Sequence, residues 1–134
     1  MKLEAGSQNL LQRFVVHEHF SEGTAGHHYD IRLEYEGVLK SWASRYLDKL
    51  ITGEKEKVLL IQTPDHELEY FNFEGRIEDG YGRGEVKIWD TGLYEAVKWE
   101  DKSKLIYFKG KKLDKIFVIL NTKGNQYLMF KKKE

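Results

Sequence analysis

A chain of 134 residues with 22 acidic and 22 basic side chains is of the size at which one domain buries roughly two thirds of the surface exposed by its unfolded chain. It has no cysteine, which excludes a disulfide framework and a thiolate zinc site, so a metal has to be held by His, Asp, Glu or water, and a reducing cytoplasm suits it. The opening "MKLEAGSQNLLQRF" lacks the apolar region of a signal peptide, and no run approaches the ~18 apolar residues of a membrane span, so the expectation is a soluble, intracellular protein.

Only the first ten residues read as a flexible lead-in, and residues 1–134 are expected to form a single domain. Period-two alternation of apolar and polar residues then recurs at 13–19, 28–36, 38–44, 57–63, 69–77, 84–92, 105–110, 114–121 and 125–132. These runs are rich in β-branched and aromatic residues and end at turn signals such as Gly37, Asp79-Gly80 and "NTKGN". One helix is expected, in "SRYLDKLITGE" at 44–54, where Leu47, Leu50 and Ile51 follow helical spacing. About nine short strands with little helix predict a mainly β fold, a small closed antiparallel β-barrel, since closure removes exposed edges.

The zero net charge is unevenly spread. Residues 1–95 hold 11 Lys+Arg against 18 Asp+Glu, and residues 96–134 hold 11 against 4. Tyr107, Phe108, Phe117, Tyr127 and Phe130 interleave with the lysines of the basic third, a pattern that can track a nucleic-acid backbone and that also describes a solvated lysine face on ordinary strands.

The stretch "GHHYDIRLEYEG" carries the chemistry. On a strand, His28, Asp30, Arg32 and Glu34 project from one face, and Tyr29, Ile31, Leu33 and Tyr35 from the other, an ordinary core stripe. His17 and His19 lie near the end of an earlier strand, and pairing of the two strands brings a third histidine within reach of the His28–Asp30 pair. Two imidazoles and one carboxylate suit a divalent metal with open positions. Arg32 beside them suits an oxyanion, because its fork of donors and permanent charge match a pair of phosphate oxygens. Farther on, "HELEY" places His66 and Tyr70 on one face, both able to donate to phosphate oxygens, with His66 also able to carry a proton near neutral pH. Glu34 either orients Arg32 or is a plain surface acid. "DGYGRGE", with glycines at 80, 82 and 84, reads as a tight turn into the next strand, with Arg83 and Lys87 near enough to meet a DNA backbone.

The order His28, Asp30, His66 and Arg76 also mimics the ligand and arginine pattern of Fe(II)/2-oxoglutarate oxygenases. The chain is short for that fold, and Arg32 would have no role in it.

The motifs "FVVHEH" (14–19), "HYDIRLEYEGVLKSWA" (28–43), "IQTPDHELEY" (61–70) and "FEGRIEDGYGRGEVKIWDTG" (73–92), with "KGKKLDKIFVI" (109–119) and "YLMFKKK" closing the chain, resemble in their order the 3′-phosphoesterase domain of DNA ligase D and its free-standing archaeal relatives. The resemblance implies a β-barrel enzyme dependent on Mn²⁺, acting in DNA repair and end joining. Such an enzyme removes a 3′-terminal ribonucleoside from a primer-template end and then hydrolyses the remaining 3′-phosphate. By matching position it implies His19, His28 and Asp30 as metal ligands and Arg32, His66 and Tyr70 as the catalytic, phosphate-binding set. It also implies DNA 3′ ends as substrate, a DNA ligase and polymerase as partners in trans, and no membrane; monomer is the default. The connection 20–27 is longer than is usual in that family, and "SRYLDK" replaces its proline-rich segment after "SWA". A non-catalytic barrel that binds nucleic-acid ends or a ligase is the reading from another class.

Overall fold

A computed structural model describes residues 11–133; the expected lead-in, residues 1–10, lies outside them. The elements are β1 (Leu11–Ser21), β2 (His27–Tyr35), β3 (Val38–Ser44), α1 (Leu47–Thr52), β4 (Lys57–His66), a 3₁₀ segment (Leu68–Asn72), β5 (Gly75–Ile77), β6 (Gly84–Trp99), β7 (Ser103–Lys109), β8 (Ile116–Lys123) and β9 (Gln126–Lys131). Neighbours pair antiparallel in the order β1-β2-β3-β4-β9-β8-β7-β6. Because β1 also pairs with β6, the sheet closes into a barrel, and β5 is added to the start of β6. The mainly β, closed antiparallel barrel expected from the alternation is the fold observed.

Alternation sorts the side chains. Phe14 and Val16 of β1, Tyr29, Ile31 and Leu33 of β2 and Trp42 of β3 point into one core. They meet Tyr94, Ile106, Phe108, Phe117, Ile119 and Met129 there, with Leu47 and Leu50 of α1. Each such side chain contributes roughly 1.5–3 kcal/mol by leaving water. Phe108, Phe117 and Tyr127 are thus core residues, and the aromatic residues of the basic third do not form a continuous surface row.

Val15 and Leu39 point the other way and join Phe71 in a second, smaller cluster, with Leu68, Tyr70 and Ile88 against it. The polar face of β2 lies on this side: Arg32 is opposite Val15, Asp30 opposite His17 and His28 opposite His19. It is turned from the main core, as the alternation predicts, yet Asp30 and Arg32 are buried.

Two expectations need correction. The strand expected at 69–77 is a 3₁₀ segment followed by the short β5. Tyr70 N–H donates to the Glu67 carbonyl at 3.0 Å and Phe73 N–H to that of Tyr70 at 3.0 Å. This winding aligns Leu68 with Phe71, three residues apart, so both reach the second cluster. The strand expected to end at Gly92 runs on to Trp99. Gly92 is a point of close approach, where an added Cβ would lie 2.5 Å from the Lys109 carbonyl oxygen.

Candidate active site

The pairing of β1 with β2 sets His19 directly opposite His28, two positions along the ladder from the His17–Asp30 pair and on the same face. His19 Nδ1 lies 3.7 Å and His28 Nε2 3.2 Å from Asp30 Oδ2. One ligand atom from each of the three residues falls within 4.8 Å of the others.

The second nitrogen of each ring is anchored by the backbone. His28 Nδ1 is 2.9 Å from the Gly26 carbonyl and His19 Nε2 is 2.6 Å from that of Gly82. A carbonyl only accepts, so these contacts place a proton on the far side of each ring and turn its other nitrogen toward Asp30, where a neutral ring offers a lone pair to a cation and a charged ring donates to the carboxylate. Two oriented imidazoles and a carboxylate are a donor set that fits a divalent cation of the Mn²⁺ type.

Burial alone would push the Asp30 carboxyl up, but hydrogen bonding to His19 and His28 and the charge of Arg32 outweigh it and hold the group well below the usual carboxylate range. At His28 burial works against the imidazolium, and the Asp30 carboxylate overrides it and raises the pKa.

Arg32 is 4% exposed and its guanidinium is held on several sides. Nε donates to His17 Nδ1 at 3.0 Å and Nη1 to Ser41 Oγ at 2.9 Å; His66 Nδ1 lies 3.1 Å from Nη1, and the Tyr70 ring centre is 5.0 Å from Cζ. Nη2 points to Asp30 Oδ2 at 3.5 Å. The fork expected to grip two phosphate oxygens is therefore largely spent on protein groups, and Nη2 is the edge with a proton to offer beside the triad. His66 and Tyr70 come together, with ring centres 5.1 Å apart. Burial, and then the charge of Arg32, lower the His66 pKa and favour the neutral ring.

All six residues singled out for the site are thus gathered on one face: His19, His28 and Asp30 as one group, Arg32, His66 and Tyr70 as the next. His27 is outside it, 2.8 Å from Glu18. Glu34 does not reach Arg32 in the described contacts and binds Arg13 Nε at 2.7 Å. Arg76, needed by the oxygenase pattern, is engaged on the surface by Glu22 at 2.8 and 3.1 Å.

The sequence profile of the DNA ligase D 3′-phosphoesterase domain matches residues 17–121, a span that contains every one of these six side chains. The chain belongs to this family. The multifunctional non-homologous end joining DNA repair protein LigD of Mycobacterium tuberculosis H37Rv is 38% identical over 120 residues, covering 86% of this chain and 15% of the relative. The LigD of Mycolicibacterium smegmatis is 34% identical over 134 residues (91% and 17%), and that of Pseudomonas aeruginosa 42% over 88 residues (63% and 10%). The chain therefore spans less than a fifth of the length of these curated relatives.

The same face also holds two buried polar residues, His17 and Ser41, to which the sequence gives no settled role. His17, which the sequence offers beside His19 as the third histidine, is fully buried and accepts from Arg32 Nε. Ser41, equally buried, accepts a hydrogen bond from Arg32 Nη1 and donates one to the Leu39 carbonyl at 3.1 Å. The parity of β3 opposite β2 places Ser41 against Arg32 and is the signal that would have found it. The glycine turn at 80–84 forms as expected, and its Gly82 carbonyl orients His19. Among the described residues no helix is long and apolar enough to cross a membrane.

Proposed function

We propose that this domain is a metal-dependent phosphoesterase that heals DNA 3′ ends for end joining, removing 3′-terminal ribonucleosides and 3′-phosphates. The observation that carries the reading is the adjacency of a two-imidazole, one-carboxylate group to a buried arginine, Arg32 Nη2 lying 3.5 Å from Asp30 Oδ2. A divalent cation next to a fixed cation is a setting for a phosphate ester, and the family membership agrees with it.

His19, His28 and Asp30 would hold the metal, with Mn²⁺ the cation proposed. When bound, it supplies Lewis-acid polarisation of a phosphoryl oxygen and a more acidic bound water. Arg32 Nη2 donates to a second oxygen of the same phosphate and offsets the charge that grows as the ester opens. His66 Nδ1 lies 3.1 Å from Arg32 Nη1 and 3.2 Å from the Pro64 carbonyl; the guanidinium can only donate, so the neutral ring accepts from it at Nδ1, keeps its proton on Nε2 and donates it toward the phosphate. Tyr70, whose burial raises its pKa, stays protonated and donates through its hydroxyl. In nucleoside removal a water oxygen bonds to phosphorus as the bond to the 5′ oxygen of the terminal nucleoside breaks; that nucleoside leaves with a 5′-hydroxyl, which gains a proton from the water, and a 3′-phosphate stays in place for the second hydrolysis.

The test is a 5′-labelled primer-template ending in one ribonucleotide, beside one ending in a 3′-phosphate, each with Mn²⁺ and with chelator. Metal-dependent shortening and dephosphorylation are the expected result. Tight binding to DNA ends without turnover would favour the non-catalytic barrel, and a DNA ligase and polymerase added in trans would then be its partners to test.

A further inference from the structure

Beside His19, His28 and Asp30 the barrel wall opens into a cleft of about 410 Å³ that these three residues line and His66 does not. Apart from Arg45 the rest of its lining is uncharged, with Ala43, Leu59 and Ile61 on the strands, Tyr46 just before α1 and Tyr81 on the glycine turn. Leu59 is 50%, Tyr46 46% and Tyr81 74% exposed, so three large apolar groups face water around one opening. Lys55 Nζ sits 5.0 Å from the Tyr46 ring centre, which engages one of that ring's faces.

We infer that this cleft seats a single nucleoside, the 3′-terminal one that departs when the ester beside the triad is cleaved; the inference rests on the proposed phosphoesterase reading. Three properties fit this occupant. The cleft begins at the group that would receive the phosphate, so whatever is esterified to that phosphate enters it. Flat aromatic rings and aliphatic walls match the faces of a base and a sugar, and stacking of this kind tolerates any base. The volume suits one nucleoside and not a base pair. The nucleoside that keeps the phosphate is paired and stacked within the duplex, whereas the terminal one has a single stacking neighbour and unstacks at least cost.

The inference separates the two reactions. Hydrolysis of a 3′-phosphate has no departing nucleoside and leaves the cleft empty, so its wall matters to one substrate and not to the other. Tyr81→Ala and Leu59→Asp are expected to lower kcat/KM for ribonucleoside removal about tenfold, mainly through KM, because each loses a stacking or apolar contact. The same variants should keep 3′-phosphate release within about twofold, and Tyr81→Phe, which retains the ring, should keep both. Equal loss of both reactions, or loss of neither, would overturn the inference. A second readout does not need turnover: a primer ending in 2-aminopurine riboside, mixed with the protein and chelator, should be quenched by the unaltered chain and not by Tyr81→Ala or Leu59→Asp. Quenching that is absent, or unchanged by both variants, overturns the cleft assignment. Quenching that behaves as expected in a protein with no hydrolytic activity supports the cleft and removes the phosphoesterase reading.

Discussion

Arg32 donates from Nε to Nδ1 of His17 across 3.0 Å, and both side chains are almost sealed from water. A guanidinium cannot accept, so His17 is neutral and carries its proton on Nε2. Burial first, and then the charge of Arg32, push its pKa down to about 4, in agreement with that role. The arginine is thus fixed before any ligand arrives.

Arg32→Lys keeps the charge and loses the geometry. An ammonium cannot reach His17, Ser41 and the triad edge together, so turnover should fall by about 100-fold or more, with roughly 1–3 kcal/mol of stability lost as His17 and Ser41 lose a partner. Steady-state kinetics paired with urea unfolding checks both. Normal turnover in the lysine variant would mean that the fixed fork is not needed.

Removal of a triad member should act on metal binding and leave the fold intact. His28→Ala and Asp30→Ala are expected to abolish turnover and to weaken Mn²⁺ binding by calorimetry, while the circular dichroism spectrum is unchanged. Turnover retained in both would refute the assignment of the triad.

Gly82→Ala tests the backbone anchor. An added Cβ would lie 3.3 Å from His19 Cε1, so the ring has to give by a few tenths of an ångström. Mn²⁺ affinity should fall by about tenfold, the low end for groups that orient a ligand. The melting temperature should hardly move, because the turn is at the surface.

Asp90 should matter to stability and not to chemistry. Its carboxylate accepts from the backbone N–H groups of Lys111, Lys112 and Leu113 at 3.0, 3.0 and 2.8 Å. Asp90→Ala leaves all three without this acceptor and is expected to cost about 3 kcal/mol, ~10 °C in Tm by thermal unfolding. An unchanged Tm would show that water replaces the carboxylate.

Lys104 should make stability depend on pH far from the site. The amine is 5% exposed, lies 4.9 Å over the Trp99 ring and donates to the carbonyls of Glu100 and Asp101 at 2.9 and 3.1 Å. Burial lowers its pKa below the unfolded value. Between the folded and unfolded pKa the unfolded chain binds more protons, so the penalty is fully present at neutral pH and is relieved as pH rises toward the ordinary lysine value of about 10.4. The urea midpoint of the unaltered chain should therefore rise, relative to Lys104→Met, as pH is raised from neutral toward the ordinary lysine value. Parallel midpoints across that range would contradict it.

Much of this architecture is legible in the order of residues because a strand has a period of two and needs no partner to express it. His28, Asp30 and Arg32 share a face by that rule alone, as do Ile31 and Leu33 behind them. The helix at Leu47–Thr52 follows from the spacing of Leu47 and Leu50 and forms within the window expected for it. Alternation misleads where a segment has another way to bury the same side chains, as Leu68 and Phe71 do through a 3₁₀ winding. It misleads also at Gly92, which marks a close approach of two backbones and not a strand end.

What the residues determined by themselves was the barrel, the polar face of β2 and the chemical character of that face. The division of labour between His17 and His19 was decided only in three dimensions. Both have the same parity, and what separates them is the register that sets His19 opposite His28, and a glycine turn more than sixty residues away whose Gly82 carbonyl turns the His19 ring toward Asp30. The cleft beside the triad likewise depends on tertiary contacts, since Tyr46 before α1, Leu59 of β4 and Tyr81 on the glycine turn come from three separate segments of the chain. Period and composition are local properties, whereas a ligand set and its orientation depend on contacts between segments distant in the chain.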